Sequence, residues 1–184
     1  GRHFRDDMLS LIEEASSALP AAFESDDYNN RRQTIEQQAS QEQEEALQDV
    51  QKRAEELGLG IIQTATGFTF TPLDNGEAIT PEEYNKFSEE EKQKLEQDTE
   101  IVGKELRNIL RTIPRRIRKV QEKIHKLDRE VALFAVESLI EELLQKYADL
   151  PKVITFLKSV EEDIADNVDL FTQVDDKNTT ALKE

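Results

Sequence analysis

The chain has 184 residues, with 24 Lys and Arg against 40 Asp and Glu, a formal charge of −16. It has no Cys and no Trp, which excludes a disulfide framework, a thiolate metal site and a thiol nucleophile, and agrees with a reducing, cytoplasmic setting. With only 6 Gly and abundant Glu, Gln, Lys and Leu the composition favours helix over sandwich or barrel, no apolar run is long enough to cross a membrane, and the acidity makes nucleic acid an unlikely bulk partner.

In chain order, residues 6–18 carry Met8, Leu9, Leu11, Ile12 and Ala15 at helical spacing, with Leu19 continuing the stripe. Pro20 is expected to end this helix. Ser25, Asp26 and Asp27 offer N-caps for a second helix reaching about Leu57, where Gly58 supplies the C-cap. Its apolar positions (Ile35, Ala39, Ala46, Val50, Ala54 and Leu57) form one narrow stripe, as in a coiled-coil seam. Ile61-Ile62-Gln63-Thr64 and Phe68-Thr69-Phe70-Thr71 read as a short β-hairpin, stopped by Pro72 and followed by an Asp74-Asn75-Gly76 turn. Thr80-Pro81-Glu82-Glu83 and Ser88-Glu89-Glu90-Glu91 are two capping boxes, the first opening a short helix and the second a long one.

The long helix carries a heptad seam from Leu95 through Val102, Leu106, Ile109, Ile113, Ile117, Val120, Ile124, Leu127 and Val131 to Phe134. A stutter coincides with Pro114, where a kink or a local break of the helix is expected. Beyond Val131 the apolar face widens. The helix should end near Pro151, which opens a last helix carrying Val153, Ile154, Phe156, Leu157, Val160 and Ile164. From Asp166 onward the pattern fades and a frayed tail is expected.

A helix of about 60 residues would be about 90 Å long, against a radius of gyration of about 16 Å for a compact domain of this size. The expected fold is therefore mainly α: an elongated antiparallel coiled-coil arm, a small helical bundle at its base and a short β-hairpin near the tip. Residues 1–171 form one domain in this reading, with the base in 1–23 and 130–171. The arm spans 24–129, including the hairpin at 60–72 and the short helix at 81–87, and 172–184 are a flexible tail.

Catalytic chemistry is hard to place. Gly103-Lys104 lacks the preceding glycine, the following Ser or Thr and the strand of a P-loop. The histidines, His3 and His125, belong to no H-E-x-x-H, Ser138 belongs to no Gly-x-Ser-x-Gly, and the paired glutamates read as solvated helix faces. No catalytic, cofactor-binding or metal-binding residue is assigned. Two features stand out instead. From Arg111 to Arg129 eight cations, including Arg115, Arg116, Arg118 and Lys119, meet only Glu122 and Asp128; this net +6 leaves −22 for the rest of the chain. The stretch either faces the acidic second helix or a neighbouring subunit, or lines a contact with polypeptide or nucleic acid. Phe68 and Phe70 share one strand face, either packed on the short helix through Tyr84 and Phe87 or exposed as an apolar tip that grips unfolded protein.

The run Leu127-Asp128-Arg129-Glu130-Val131-Ala132-Leu133-Phe134-Ala135-Val136, with Leu139-Ile140-Glu141-Glu142-Leu143, resembles a segment of bacterial Lon-like ATP-dependent proteases. So do Pro20-Ala21-Ala22-Phe23-Glu24-Ser25 with Tyr28, Thr66-Gly67-Phe68 leading to Pro72, and Asp74-Asn75-Gly76 before Thr80-Pro81-Glu82-Glu83-Tyr84. The opening Gly1-Arg2-His3-Phe4-Arg5-Asp6-Asp7-Met8 is similar to the family's exit from an AAA+ core strand, and the resemblance covers about residues 1–171. It implies a non-catalytic helical accessory segment of a longer chain that joins an AAA+ module to a Ser-Lys protease domain. ATP and Mg would belong to the parent, not to this segment. The implied partners are unfolded protein substrates, which the segment contacts or gates at the ring entrance, and other subunits of a homo-oligomeric ring. The alternative is a structural coiled-coil spacer or oligomerisation arm without substrate contact.

Overall fold

The computed structural model describes residues 2–65 and 67–172. They form helices α1 (Arg2–Phe23), α2 (Asp26–Glu56), α3 (Pro81–Asn85), α4 (Glu89–Lys146), α5 (Pro151–Asp166) and α6 (Asp169–Thr172), and strands β1 (Leu59–Thr64), β2 (Gly67–Asp74) and β3 (Glu77–Ala78). The chain is mainly helical, with one small antiparallel sheet of order β1-β2-β3. It divides into two compact units: unit 1 comprises 1–36 and 120–184, and unit 2 comprises 37–119. α2 and α4 contribute residues to both.

In unit 1, α1 buries Leu11, Ala15, Leu19 and Phe23, spaced four apart, against Leu127, Ala132, Val136, Ile140 and Leu143 of α4, with Leu157 of α5 and Val168. Edge-to-face aromatic pairs support this core: Phe23 on Tyr28 at 5.1 Å and Phe4 on Tyr147 at 5.2 Å between ring centroids. α1 does not stop at Pro20, contrary to the sequence expectation. Proline cannot donate to the carbonyl of Ser16. The helix nevertheless continues, because Pro20 O accepts from Glu24 N at 2.9 Å and Leu19 and Phe23 are buried on either side of it. α4 likewise continues through Pro114. The expected fraying from Asp166 is also corrected over 169–172: α6 forms there, and Val168 is fully buried. The flexible tail expected over 172–184 lies, from 173, outside the described residues.

Not every seam residue is buried. Phe134 is 79% exposed and Ile117 is 51% exposed. Phe134 lies two residues before the buried Val136, a rotation of about 200° around the helix, so it points away from the face that Val136, Ile140 and Leu143 bury.

In unit 2, Val50 and Ala54 of α2 pack with Leu59, Val102 and Leu106, flanked by Leu47, Leu95, Ile109 and Phe70. Gly58 ends α2 with φ +72, the left-handed conformation a C-terminal glycine adopts without a Cβ penalty. Its carbonyl then accepts from Leu73 N at 2.8 Å, joining helix end to sheet. β2 runs past Pro72, where the sequence suggested it would stop. Pro72 sits opposite Leu59, its carbonyl accepts from Ile79 N at 3.1 Å, and the missing N–H falls where pairing with β3 ceases. Asn75 (φ +50) and Gly76 (φ +86) form the two-residue loop between Asp74 and Glu77, which creates β3. Both capping boxes close: Thr80 N donates to Glu83 at 2.8 Å and Ser88 N to Glu91 at 2.7 Å, and each hydroxyl accepts from the partner's N–H.

Candidate functional site

An open groove of about 790 Å³ lies in unit 2, between the sheet, α3 and the first turns of α4. Leu59, Phe70, Pro72, Ile79, Pro81, Tyr84 and Leu95 give it apolar walls, and Glu89, Lys92, Gln93 and Glu96 a polar rim. The strand period places these walls. Leu59, Ile61 and Gln63 lie opposite Pro72, Phe70 and Phe68, so all six side chains share one face of the hairpin. Phe70 is half-buried and reaches the backbone of α4 at Gly103, where a Cβ would stand 3.5 Å from its ring. Gly103 therefore permits a close aromatic approach to the helix. Phe68, two residues further out, is 38% exposed. Tyr84 is 5.9 Å from Phe87 between ring centroids, and Lys92 Nζ lies 5.8 Å above the Tyr84 ring and 3.5 Å from Glu89. Thr80 and Thr99 complete the lining, so the trough is mixed rather than apolar: its walls can take apolar side chains and its edge offers charge-assisted contacts.

Arg115, Arg118 and Lys119 of α4 are exposed, and Arg116 is half-buried. The Arg116 Nη1 is buried with no hydrogen-bond partner among the described residues. None of these four, nor Arg111, forms an ion pair with a described residue. The option that the stretch neutralises the acidic second helix within the chain thus finds no pairs to support it; in unit 2 the ion pair between α2 and α4 is Arg53–Glu105 at 3.2 Å. Arg129 does find a partner, Asp166, and His125 Nδ1 lies 3.7 Å from Asp169.

Sequence reasoning did not single out a buried polar cluster in unit 1. Asp128, 6% exposed, accepts a 2.8 Å hydrogen bond from the Tyr28 hydroxyl, which accepts at 3.3 Å from Arg32. Burial pushes the Asp128 carboxyl above the usual carboxylate range, against the opposing pull of Tyr28 and Arg32. Burial and the hydrogen bond to Asp128 both raise the Tyr28 phenol. The available signal was an acid directly after Leu127 and four residues before Ala132, on the buried side of the seam. A second polar pin joins Asp7 to Lys146 (2.6 Å) and Tyr147 (2.5 Å); these donors hold the Asp7 carboxyl below its usual range.

Comparison with known protein families, curated proteins and solved structures finds no match. Among the described residues no group of three or more His, Asp or Glu is placed to hold a metal ion, and no helix is long and apolar enough to cross a membrane.

Proposed function

We propose that this chain is a non-catalytic accessory domain of a Lon-like ATP-dependent protease that contacts or gates unfolded polypeptide at the ring entrance, with the groove of unit 2 as its contact surface. The observation that carries the reading is the groove itself: a trough with apolar walls and charged edges, beside an exposed phenylalanine, suits a polypeptide segment without demanding one sequence. The resemblance of the ordered motifs from Pro20-Ala21-Ala22-Phe23 to Leu127-Asp128-Arg129-Glu130 is what supports the Lon-like reading. The heptad seam of α4, with Val50 and Ala54 packed on Val102 and Leu106, supports the finer architecture of an antiparallel coiled-coil arm on a small helical bundle, with the hairpin near the tip. In this proposal the parent is a cytoplasmic homo-oligomeric ring that supplies ATP, Mg and the Ser-Lys chemistry.

The test is made in the full-length protease. Phe68→Ala with Phe70→Ala, and separately Tyr84→Ala on the opposite wall, should slow degradation of an unfolded protein while cleavage of a short peptide persists. Equal loss of both activities, or of neither, refutes the reading. One observation favours a structural spacer instead: Phe70 is partly occupied in packing on Gly103. Deletion of residues 60–86 decides, because a spacer without substrate contact leaves unfolded-protein degradation unchanged.

A further inference from the structure

In an antiparallel sheet one residue of a strand turns its N–H and C=O to the neighbour on one side, and the next residue turns them to the other. Two hydrogen bonds fix that alternation in β2. Leu73 N donates to Gly58 O at 2.8 Å, so Leu73, Thr71, Thr69 and Gly67 face β1. Ile79 N donates to Pro72 O at 3.1 Å, so Asp74, Pro72, Phe70 and Phe68 face the side of β3. In the register of β3, Phe70 would pair with Pro81 and Phe68 with Glu83. Instead Thr80 caps α3 and Pro81 opens it, so the chain leaves the sheet. The backbone N–H and C=O of Phe68 and Phe70 are left without a partner among the described residues. The groove of unit 2 adjoins this vacated lane, where Phe70, Pro72, Ile79, Pro81 and Tyr84 line it.

This edge is not defended. Natural edge strands are blunted by charges, prolines or bulges. Residues 57–73 carry no charged side chain, in a chain that is 35% charged. The β1–β2 pairing runs without a bulge from Leu59–Pro72 to Thr64–Gly67, and Pro72 sits where Ile79 already covers the edge. Building on the substrate contact proposed above, we infer that the open edge of β2 takes a strand of the substrate: an extended, proline-free segment that pairs with Phe68 and Phe70 and turns every second side chain toward the groove. Segment residues opposite Phe70 and Phe68 exchange both hydrogen bonds with them, and the residue between faces away. Their side chains fall beside the two rings, where β-branched and aromatic residues pair best. Helices and paired strands have their backbone groups satisfied already, so the edge selects unfolded chain without reading one sequence. On β1, Ile61 and Gln63 also face outward, yet neither lines the groove. A second copy of this chain fits less well. Its own edge is open over the same short stretch, so a two-fold joint would pair Phe68 and Phe70 alone and leave the groove empty.

The probe is a peptide of alternating valine and threonine, about seven residues long with blocked ends, added to the 184-residue chain and followed by amide NMR. It should slow hydrogen exchange at the Phe68 and Phe70 amides and leave Thr69 and Thr71, already bonded to β1, unchanged. Methylating the valine nitrogens, which face β2, should weaken binding at least about tenfold; methylating the threonine nitrogens, which face away, should change it less than about twofold. Phe68→Pro removes an N–H that the β1–β2 ladder does not use, so the hairpin tolerates it. Binding should nevertheless fall further than in Phe68→Ala, which loses the same ring and keeps the N–H. Equal effects of the two methylations overturn the added strand and leave the groove to side-chain capture, so the substrate contact itself survives. Protection at Ile61 and Gln63 instead also overturns it, as does pairing of these edges between two copies of the chain. Absence of peptide binding overturns it as well. The substrate contact is then judged separately, by degradation of unfolded protein in the Phe68→Ala, Phe70→Ala protease.

Discussion

Replacing Tyr28 by phenylalanine deletes one oxygen and leaves the ring packed on Phe23, so its effect isolates the bond to Asp128. A 2.8 Å bond to a buried carboxylate falls in the charge-assisted class, about 1.5–3 kcal/mol. Arg32 keeps Glu36 at 3.2 Å and loses little. We expect a cost of about 2 kcal/mol at neutral pH, or about 4–8 °C in the melting temperature of a chain this size. The cost depends on pH with a definite sign. Burial holds the folded Asp128 carboxyl above its unfolded value, so the folded state takes up the proton first, and this residue's contribution to stability falls as pH rises through that window. Loss of the phenol removes a donor that lowers the carboxyl, raising it further and deepening the fall. In acid, below both values, Asp128 is protonated in either state and the cost shrinks to the neutral-pair level of about 1 kcal/mol. Urea denaturation followed through hydrogen exchange of α1 amides reads the transition of unit 1. A double-mutant cycle with Asp128→Asn should return a coupling of about 1–2 kcal/mol. A neutral-pH cost below about 0.5 kcal/mol, the range of ordinary surface changes, refutes the reasoning; so does a cost equal in acid and at neutrality.

Gly103→Ala should stabilise unit 2. The new Cβ would stand 3.5 Å from the Phe70 ring, an ordinary contact, and 3.3 Å from the flexible end of Arg107, while helix propensity gains up to about 1 kcal/mol; a lowered melting temperature would show that the ring cannot give way. Asp7→Asn should lower stability at neutral pH and matter progressively less as pH falls through the depressed carboxyl of Asp7, because the ion pair with Lys146 is lost there in the wild type as well; thermal denaturation across pH 2–7 tests the convergence.

Local chemistry was the readable part of this fold. The two capping boxes, Gly58 after α2 and Pro151 at the start of α5 act over a few residues, and each appears where the sequence places it. Misplaced elements were those in which tertiary burial outweighs a local signal. Leu19 and Phe23 carry α1 through Pro20, and Val168 anchors α6 where periodicity had faded. β3 adds only two residues, too few to show alternation, and follows from the positive φ of Asn75 and Gly76. At the site, strand alternation correctly put Phe68 and Phe70 on one face, but their unequal burial depends on how close Gly103 lets a ring approach. Tyr28 and Asp128 are 100 residues apart, and no local pattern links them.

The order of the two units along the chain has a consequence for the time course of synthesis. Unit 2 is continuous, whereas unit 1 is assembled from the first 36 residues and a segment beginning at Val120. At about 5–20 residues per second, the ribosome needs several seconds to make the intervening stretch. Throughout that interval Leu11, Ala15, Leu19 and Phe23 have no α4 to cover them. The apolar stripe of α1 thus waits uncovered during synthesis, and a ribosome stalled late in residues 37–119 would leave it uncovered for as long as the stall lasts.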